Sequence, residues 1–308
     1  MSAPNIILET EGLSKWFGEV VAVNNLTLSL EQGVTGLLGP NGAGKSTFIR
    51  LCTGLYAPSR GTIALFGSPP RHNLDVLRMI GYCPESDVFY EGMTGFEFVQ
   101  WLCRYWGMSW RDAKRSAVEA CERVGMTARM KDPITTYSKG MRQRIKIAQA
   151  LALDPEFLVL DEPMQGLDPE GREEMFSLIG ALGKEGRSVL VSSHILYEIE
   201  RVTNTVLLLH QGSVLAHGSV RHIRDLIDEH PHAVTIESRD PKRVAAQFVS
   251  DAATLGIEYS NGQVVIRTSD PNAFYQKLND LVLDSGLDIA SIRCADDDLQ
   301  SVFEYLIH

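Results

Sequence analysis

The octapeptide Gly39-Pro40-Asn41-Gly42-Ala43-Gly44-Lys45-Ser46 decides the fold of this chain. It follows the apolar run VTGLLG (34–39) and opens STFIRLCTGL (46–55), whose apolar residues have helical spacing. Strand, glycine-rich loop and helix are the start of a parallel α/β unit. In that setting GxxxxGK[ST] reads as a phosphate cradle. Its glycines let backbone N–H groups converge on phosphate oxygens, and the helix N-terminus adds positive potential. Lys45 is expected to reach the β- and γ-phosphates of a nucleoside triphosphate, and the Ser46 hydroxyl to ligate Mg²⁺. Thr47 is counted with the loop in the nucleotide-binding set.

Outward from this loop the α/β pattern continues. Residues 6–9 and 26–30 read as short strands. MIGYC (79–83), FLVLD (157–161), SVLVSS (188–193) and TVLLLH (205–210) read as further strands. FLVLD and VLVSS are continuous apolar runs, as buried parallel strands are. Helical stretches are expected at 111–124, 140–152, 170–184 and 195–202. The strand FLVLD leads into Asp161-Glu162. Acids after a buried strand are costly unless a cation or hydrogen bonds compensate. Asp161 is therefore expected to hold Mg²⁺ through its shell, and Glu162 to polarise the attacking water as general base. Upstream, Tyr137-Ser138-Lys139-Gly140-Met141 opens GMRQRIKIAQALAL; Ser138 is expected as its N-cap, facing an anion together with the next amide groups.

Two regions depart from the pattern. Residues 87–136 hold three of the four tryptophans and read as a small helical subdomain, taken to extend to about 150. Its aromatics are either core or an apolar docking groove for a partner helix. From 225 to 308 the pattern restarts as βαββαβ plus a helix: HAVTIESR, a Pro-opened helix, and GIEYSNGQVVIRT with Asn261-Gly262 as a hairpin turn. A helix ended by Gly286, DIASIRC and DDDLQSVFEYLI follow. That order suggests a small ferredoxin-like α+β domain. The domains are thus placed at 1–224 and 225–308.

The chain has 308 residues, 44% hydrophobic and 22% charged, with a mean hydropathy of -0.06. These values exclude disordered and collagen-like classes. The net charge of -10 argues against a nucleic-acid backbone as main partner. The charge is uneven: residues 225–308 carry six Lys/Arg and fifteen Asp/Glu, so the acidity marks an accessory domain rather than residues 1–224. Any partner of that domain is expected to present a basic surface. The five cysteines are irregularly spaced with no CxxC, as in reduced thiols rather than a metal site. No apolar run approaches the ~20 residues of a membrane span, and the N-terminus lacks the pattern of a secretion signal. An intracellular location is expected.

The succession of phosphate loop, Ser138 cap, Asp161-Glu162 strand, Gly166-Leu167-Asp168 and Ser192-Ser193-His194 resembles the ATP-binding cassette (ABC) ATPases over residues 5–224. The resemblance implies a P-loop NTPase cassette with a helical subdomain, binding ATP and Mg²⁺. Phe17 looks like the aromatic that stacks on adenine. YSKGM resembles the signature loop, commonly LSGGQ, which completes the nucleotide site of a second subunit. Ser138 and Gly140 would then contact the γ-phosphate held by the partner copy's Lys45. Asp168 resembles the acid that bridges the two sites, and His194 the switch histidine that senses the γ-phosphate. Two departures stand out. The lid position is Glu85 where the family usually has Gln; Glu accepts from water or binds Mg²⁺ while adding negative charge. Lys139 and Met141 replace Gly and Gln of the signature loop, and Lys139 would bring positive charge toward the partner's γ-phosphate. Both departures look like the export-type ATPases serving separate ABC-2 permeases, many of which also end in a helix like Asp297-Asp298-Leu299-Gln300-Ser301-Val302-Phe303.

The resemblance implies an ATP-hydrolysing motor subunit, acting as a homodimer or with a paralogous ATPase subunit. It would drive a separate transmembrane permease from the cytoplasmic face of the membrane. The aromatic region 87–110 would receive the permease's coupling helix. The alternative is a soluble ABC ATPase acting on nucleic acid or ribosomes, disfavoured by the acidic balance and the absence of a long insertion or second cassette.

Overall fold

The structure, a computed structural model, describes residues 5–219, 232–260, 263–285 and 288–294. It separates into two compact units, Met1–Gly218 and Ser219–His308. The sequence placed the boundary at 224/225, which lies outside the described residues, as do the Asn261-Gly262 turn, Gly286 and the Asp297–Phe303 helix.

The first unit is built on two sheets. β1 (Ile6–Phe17), β2 (Val20–Glu31) and β4 (Arg60–Leu65) form an antiparallel sheet in the order β2-β1-β4. The short strands expected at 6–9 and 26–30 are thus two twelve-residue strands. Register shifts, including those between Thr10 and Leu13, break the period-two alternation that marks a strand in sequence. The second sheet has six strands in the order β5-β6-β7-β3-β8-β9: β5 (Ile80–Cys83), β6 (Phe157–Leu160), β7 (Ser188–Ser193), β3 (Val34–Leu38), β8 (Thr205–His210) and β9 (Ser213–Ser219). The five from β5 to β8 are parallel. Every residue of β6 and β7 is buried, which their apolar composition allows. Gln211 and Gly212, both at positive φ, join β8 to β9 in a two-residue turn.

The core of this unit lies between the sheets. Leu8, Leu13 and Leu26 meet Phe48, Ile49 and Leu51 of α1 (Lys45–Cys52) and Leu37 of β3. Each fully buried Leu or Phe contributes roughly 1.5–3 kcal/mol to folding. Between β5 and β6 the chain leaves the sheet for α3 (Gly95–Tyr105), α4 (Trp110–Arg123), a 3₁₀ turn (Ile134–Thr136) and α5 (Lys139–Leu151). Thr94 and Glu97 form a reciprocal cap on α3, and Ser109 caps α4. The region expected to be helical therefore is. α2 (Leu74–Arg78), α6 (Pro169–Lys184) and α7 (Leu196–Glu200) complete the unit.

The second unit is a four-stranded antiparallel sheet in the order β11-β12-β10-β13, made of β10 (His232–Ser238), β11 (Thr254–Ser260), β12 (Gln263–Thr268) and β13 (Ile289–Cys294). Val234, Ile236, Val264 and Ile266 turn to one face. There they meet Val244 of α8 (Pro241–Ala246), Phe248, and Phe274 and Leu278 of α9 (Pro271–Ser285). The Pro-opened helix spans Pro241–Ala246.

Candidate functional site

Three neighbouring parallel strands, β6, β7 and β3, each deliver one loop to the same sheet edge. β3 delivers the octapeptide. Gly39 is packed so that a Cβ there would meet the Leu209 carbonyl at 2.5 Å. Gly44, at φ +102°, sits where a Cβ would meet the Ala22 carbonyl at 2.3 Å. Only glycine fits either position, so the turn is fixed between β8 and β2. Lys45, at the first residue of α1, bends back: its ammonium donates to the Gly39 carbonyl at 2.7 Å and pairs with Glu162 Oε1 at 3.3 Å. Both charges are buried, so each depends on the other.

β6 delivers Asp161 and Glu162. Glu162 holds a left-handed backbone, φ +49°, uncommon outside glycine. Its N–H donates to Ser192 Oγ at 2.8 Å, and the same hydroxyl donates to Asp161 Oδ1 at 2.8 Å. Ser192, wholly buried on β7, thus fixes both acids. One residue past β7, the His194 Nδ1–H donates to Glu162 Oε2 at 2.9 Å. In the neutral ring that tautomer leaves Nε2 as an acceptor; it donates to an oxygen only when the ring carries its second proton. Lys45, Glu162 and His194 are therefore one connected polar chain.

Burial pushes the Asp161 carboxyl above the usual carboxylate range; the hydrogen bonds from Ser192 and Ser46 oppose the rise, and the negative charges of Glu85 and Glu162 add to it. A buried carboxylate beside a hydroxyl, under excess negative charge, is a donor set suited to Mg²⁺, which takes one or two protein oxygens and completes its shell with phosphates and water. Ser46 and Asp161 are the residues that fit. No group of three or more His, Cys, Asp or Glu able to hold a metal exists among the described residues. When bound, Mg²⁺ would neutralise charge on the phosphate oxygens.

The remaining expected residues lie around this centre. Glu85 is exposed just past β5, and its Oε1 accepts from Gln165 at 3.4 Å. Ser138 caps α5, its Oγ accepting from the Met141 N–H at 3.3 Å as expected. Ser138 to Met141 line one depression of about 420 Å³ together with Gly166, Leu167 and Asp168. Within it, Lys139 is exposed. Its ammonium lies over Gly166, where a Cβ would stand 2.2 Å from Nζ. Asp168 is the N-cap of α6, accepting from the Gly171 N–H at 2.9 Å. Phe17 is 44% exposed and packs edge-to-face on Tyr56 at 5.3 Å, with the Lys15 ammonium 5.0 Å above its ring.

Sequence reasoning missed the two hydrogen bonds of Ser192 and Glu198, a buried carboxylate on α7 that accepts from Ser193 Oγ at 2.6 Å. It also missed Gln165 and Lys146 of α5, whose buried ammonium donates to the Glu85 carbonyl at 2.7 Å. A lysine among apolar helix residues was the available signal for Lys146.

Phosphate loop, buried Asp161, and a Glu162 joined to both lysine and histidine define a P-loop nucleoside-triphosphatase. The sequence profile of the ABC transporter family matches residues 23–165. The bacitracin transport ATP-binding protein BcrA of Enterococcus faecalis is 33% identical, the alignment covering 98% of this chain and 96% of BcrA. The daunorubicin/doxorubicin resistance ATP-binding protein DrrA of Streptomyces peucetius is 32% identical over 90% of this chain and 82% of its own. A solved ATP-binding subunit of an ABC transporter superposes with a TM-score of 0.64 at 30% identity, over 72% of this chain and 93% of that one. The chain belongs to the ABC transporter ATP-binding proteins. It is an ATPase using ATP and Mg²⁺, and proteins of this kind dimerise and work with membrane permease subunits. No described helix is long and apolar enough to cross a membrane.

Proposed function

We propose that the chain is the ATP-hydrolysing motor of an ABC-2 type exporter, held at the cytoplasmic face of the membrane by a separate permease. Two copies, or this chain and a paralogue, would clamp ATP head to tail. The observation that carries the mechanism is the connected Lys45–Glu162–His194 chain. Backbone N–H groups of Asn41 to Thr47 cradle the phosphates, and Lys45 leaves Glu162 for the β- and γ-phosphates. Glu162 then takes a proton from the attacking water, and His194 Nε2 would donate to a γ-phosphate oxygen when the ring carries its second proton. Phe17 stacks on the adenine. Ser138 to Met141 complete the partner's site, and Asp168 bridges the two. The export reading is supported by the transport and resistance ATP-binding proteins that match almost end to end, which leaves the nucleic-acid and ribosome reading without support.

The helical subdomain carries an apolar groove of about 370 Å³ lined by Tyr90, Met93, Phe98, Trp101, Leu102 and Tyr105. Trp101 is 50% exposed there. This groove takes the permease's coupling helix. The second unit is read as ferredoxin-like, since its strand order places β10 and β12 at the centre and each helix crosses over one strand; it serves as an acidic accessory domain.

Glu162→Gln tests the mechanism. It should retain ATP, lose at least about a hundredfold in turnover, and accumulate as a dimer in gel filtration with ATP. Hydrolysis at the wild-type rate would remove Glu162 as the base.

A further inference from the structure

Lys146 is a buried cation that the hydrolytic chemistry does not use. It lies on α5, the helix whose first turn carries Ser138 to Met141. Its side chain is 3% exposed, donating to the Glu85 carbonyl at 2.7 Å and pairing with Asp87 Oδ1 at 3.2 Å. Three neighbours on the same helical face act in parallel. Gln149 donates to the Tyr82 carbonyl at 2.8 Å, Gln143 reaches Cys83 Sγ at 3.6 Å, and Arg142 pairs with Asp87 Oδ2 at 3.6 Å. Positions 142, 146 and 149 lie on one face of the helix. Residues 82 to 87 are therefore fastened along α5 from the end of β5 past the lid residue. A charge is retained in such a place only where its partners are held with it. Lysine offers three donors in a compact head, which suits one carbonyl and one carboxylate at once.

We propose that Lys146 is a positioning residue that locks the backbone of Glu85 to the signature helix. When Glu85 responds to nucleotide and Mg²⁺ in its own site, Lys146 carries that displacement to Ser138–Met141, and so to the nucleotide of the facing copy. The inference rests on reading Glu85 as the lid residue and Ser138 to Met141 as the partner-facing loop. It goes beyond that reading by naming the connection between them.

The test uses the full chain with Lys146→Met, Lys146→Arg and, separately, Glu85→Ala. Lys146→Met should lower kcat at least about tenfold while the Kd for ATP, measured by fluorescent-nucleotide displacement, stays within about twofold. Lys146→Arg, which donates to both partners, should recover kcat to within about threefold of wild type. Wild-type kcat in Lys146→Met overturns the proposal. So does a parallel loss of ATP affinity, or a lowered unfolding midpoint that Lys146→Arg does not repair, since either makes the lysine a packing element only. If Glu85→Ala alone turns over normally, the lid reading fails independently of Lys146.

Discussion

Ser192→Ala removes one oxygen and nothing else, yet that oxygen serves two buried groups. Its hydroxyl donates to Asp161 Oδ1 and accepts from the Glu162 N–H, each at 2.8 Å, and the residue is wholly buried. A hydrogen bond to a carboxylate contributes roughly 1.5–3 kcal/mol, and an orphaned buried N–H costs about 1–3 kcal/mol. The two losses share one site and overlap, so about 2–4 kcal/mol is expected in all. Glu162 also loses the anchor of its left-handed backbone, a conformation costing about 1–2 kcal/mol on its own. Stability and catalysis should therefore fall together: the unfolding midpoint in urea drops, and kcat falls by about tenfold or more because Glu162 is no longer aimed. Tryptophan fluorescence is the assay, since Trp16, Trp101, Trp106 and Trp110 all lie in the first unit. A loss below about 1 kcal/mol with unchanged kcat would refute the reasoning.

Lys45→Ala should abolish measurable ATP binding, and normal binding by equilibrium dialysis would mean the octapeptide is not the phosphate site. Trp101→Asp places a charge in the apolar groove; co-purification with the permease should fail while ATPase activity of the isolated chain is retained. Asp161, held above the usual carboxylate range mainly by burial, binds a proton more readily than an exposed aspartate. A proton and Mg²⁺ compete for the same carboxylate, so Mg²⁺ affinity should weaken as pH falls into the range where Asp161 protonates, a range higher than for an exposed aspartate. In the nucleotide-free chain the same shift acts oppositely: it disfavours the folded state as pH rises from the unfolded value through the folded one.

The residues that touch phosphate were legible because the chemistry admits few alternatives. Gly39 and Gly44 must be glycine where a carbonyl stands at 2.5 and 2.3 Å, and a cation must face the phosphates. The residues that hold those in place were not. Ser192, Glu198 and Lys146 act through partners 30, 5 and 61 positions away, and no spacing in the chain announces such pairs. The six-stranded sheet was largely visible as apolar runs, whereas the antiparallel sheet hid behind its own bulges and β4 and β9 gave no signal. Lys139 is a third case: its long flexible stem lies over Gly166, a placement that no spacing in the chain announces.

The octapeptide hangs from β3, and β3 pairs only with β7 and β8. Val34 meets Val189, and Thr35 meets Thr205. During synthesis the strand therefore waits, both edges bare, until the chain has grown past residue 188. Contacts so distant in sequence form late. A nascent or truncated cassette ending before β7 holds its phosphate loop on an unpaired strand and lacks Ser192 and His194 as well. Tight ATP binding should in that sense report that the first unit has been completed through β8, and fragments ending before β7 should not compete for nucleotide.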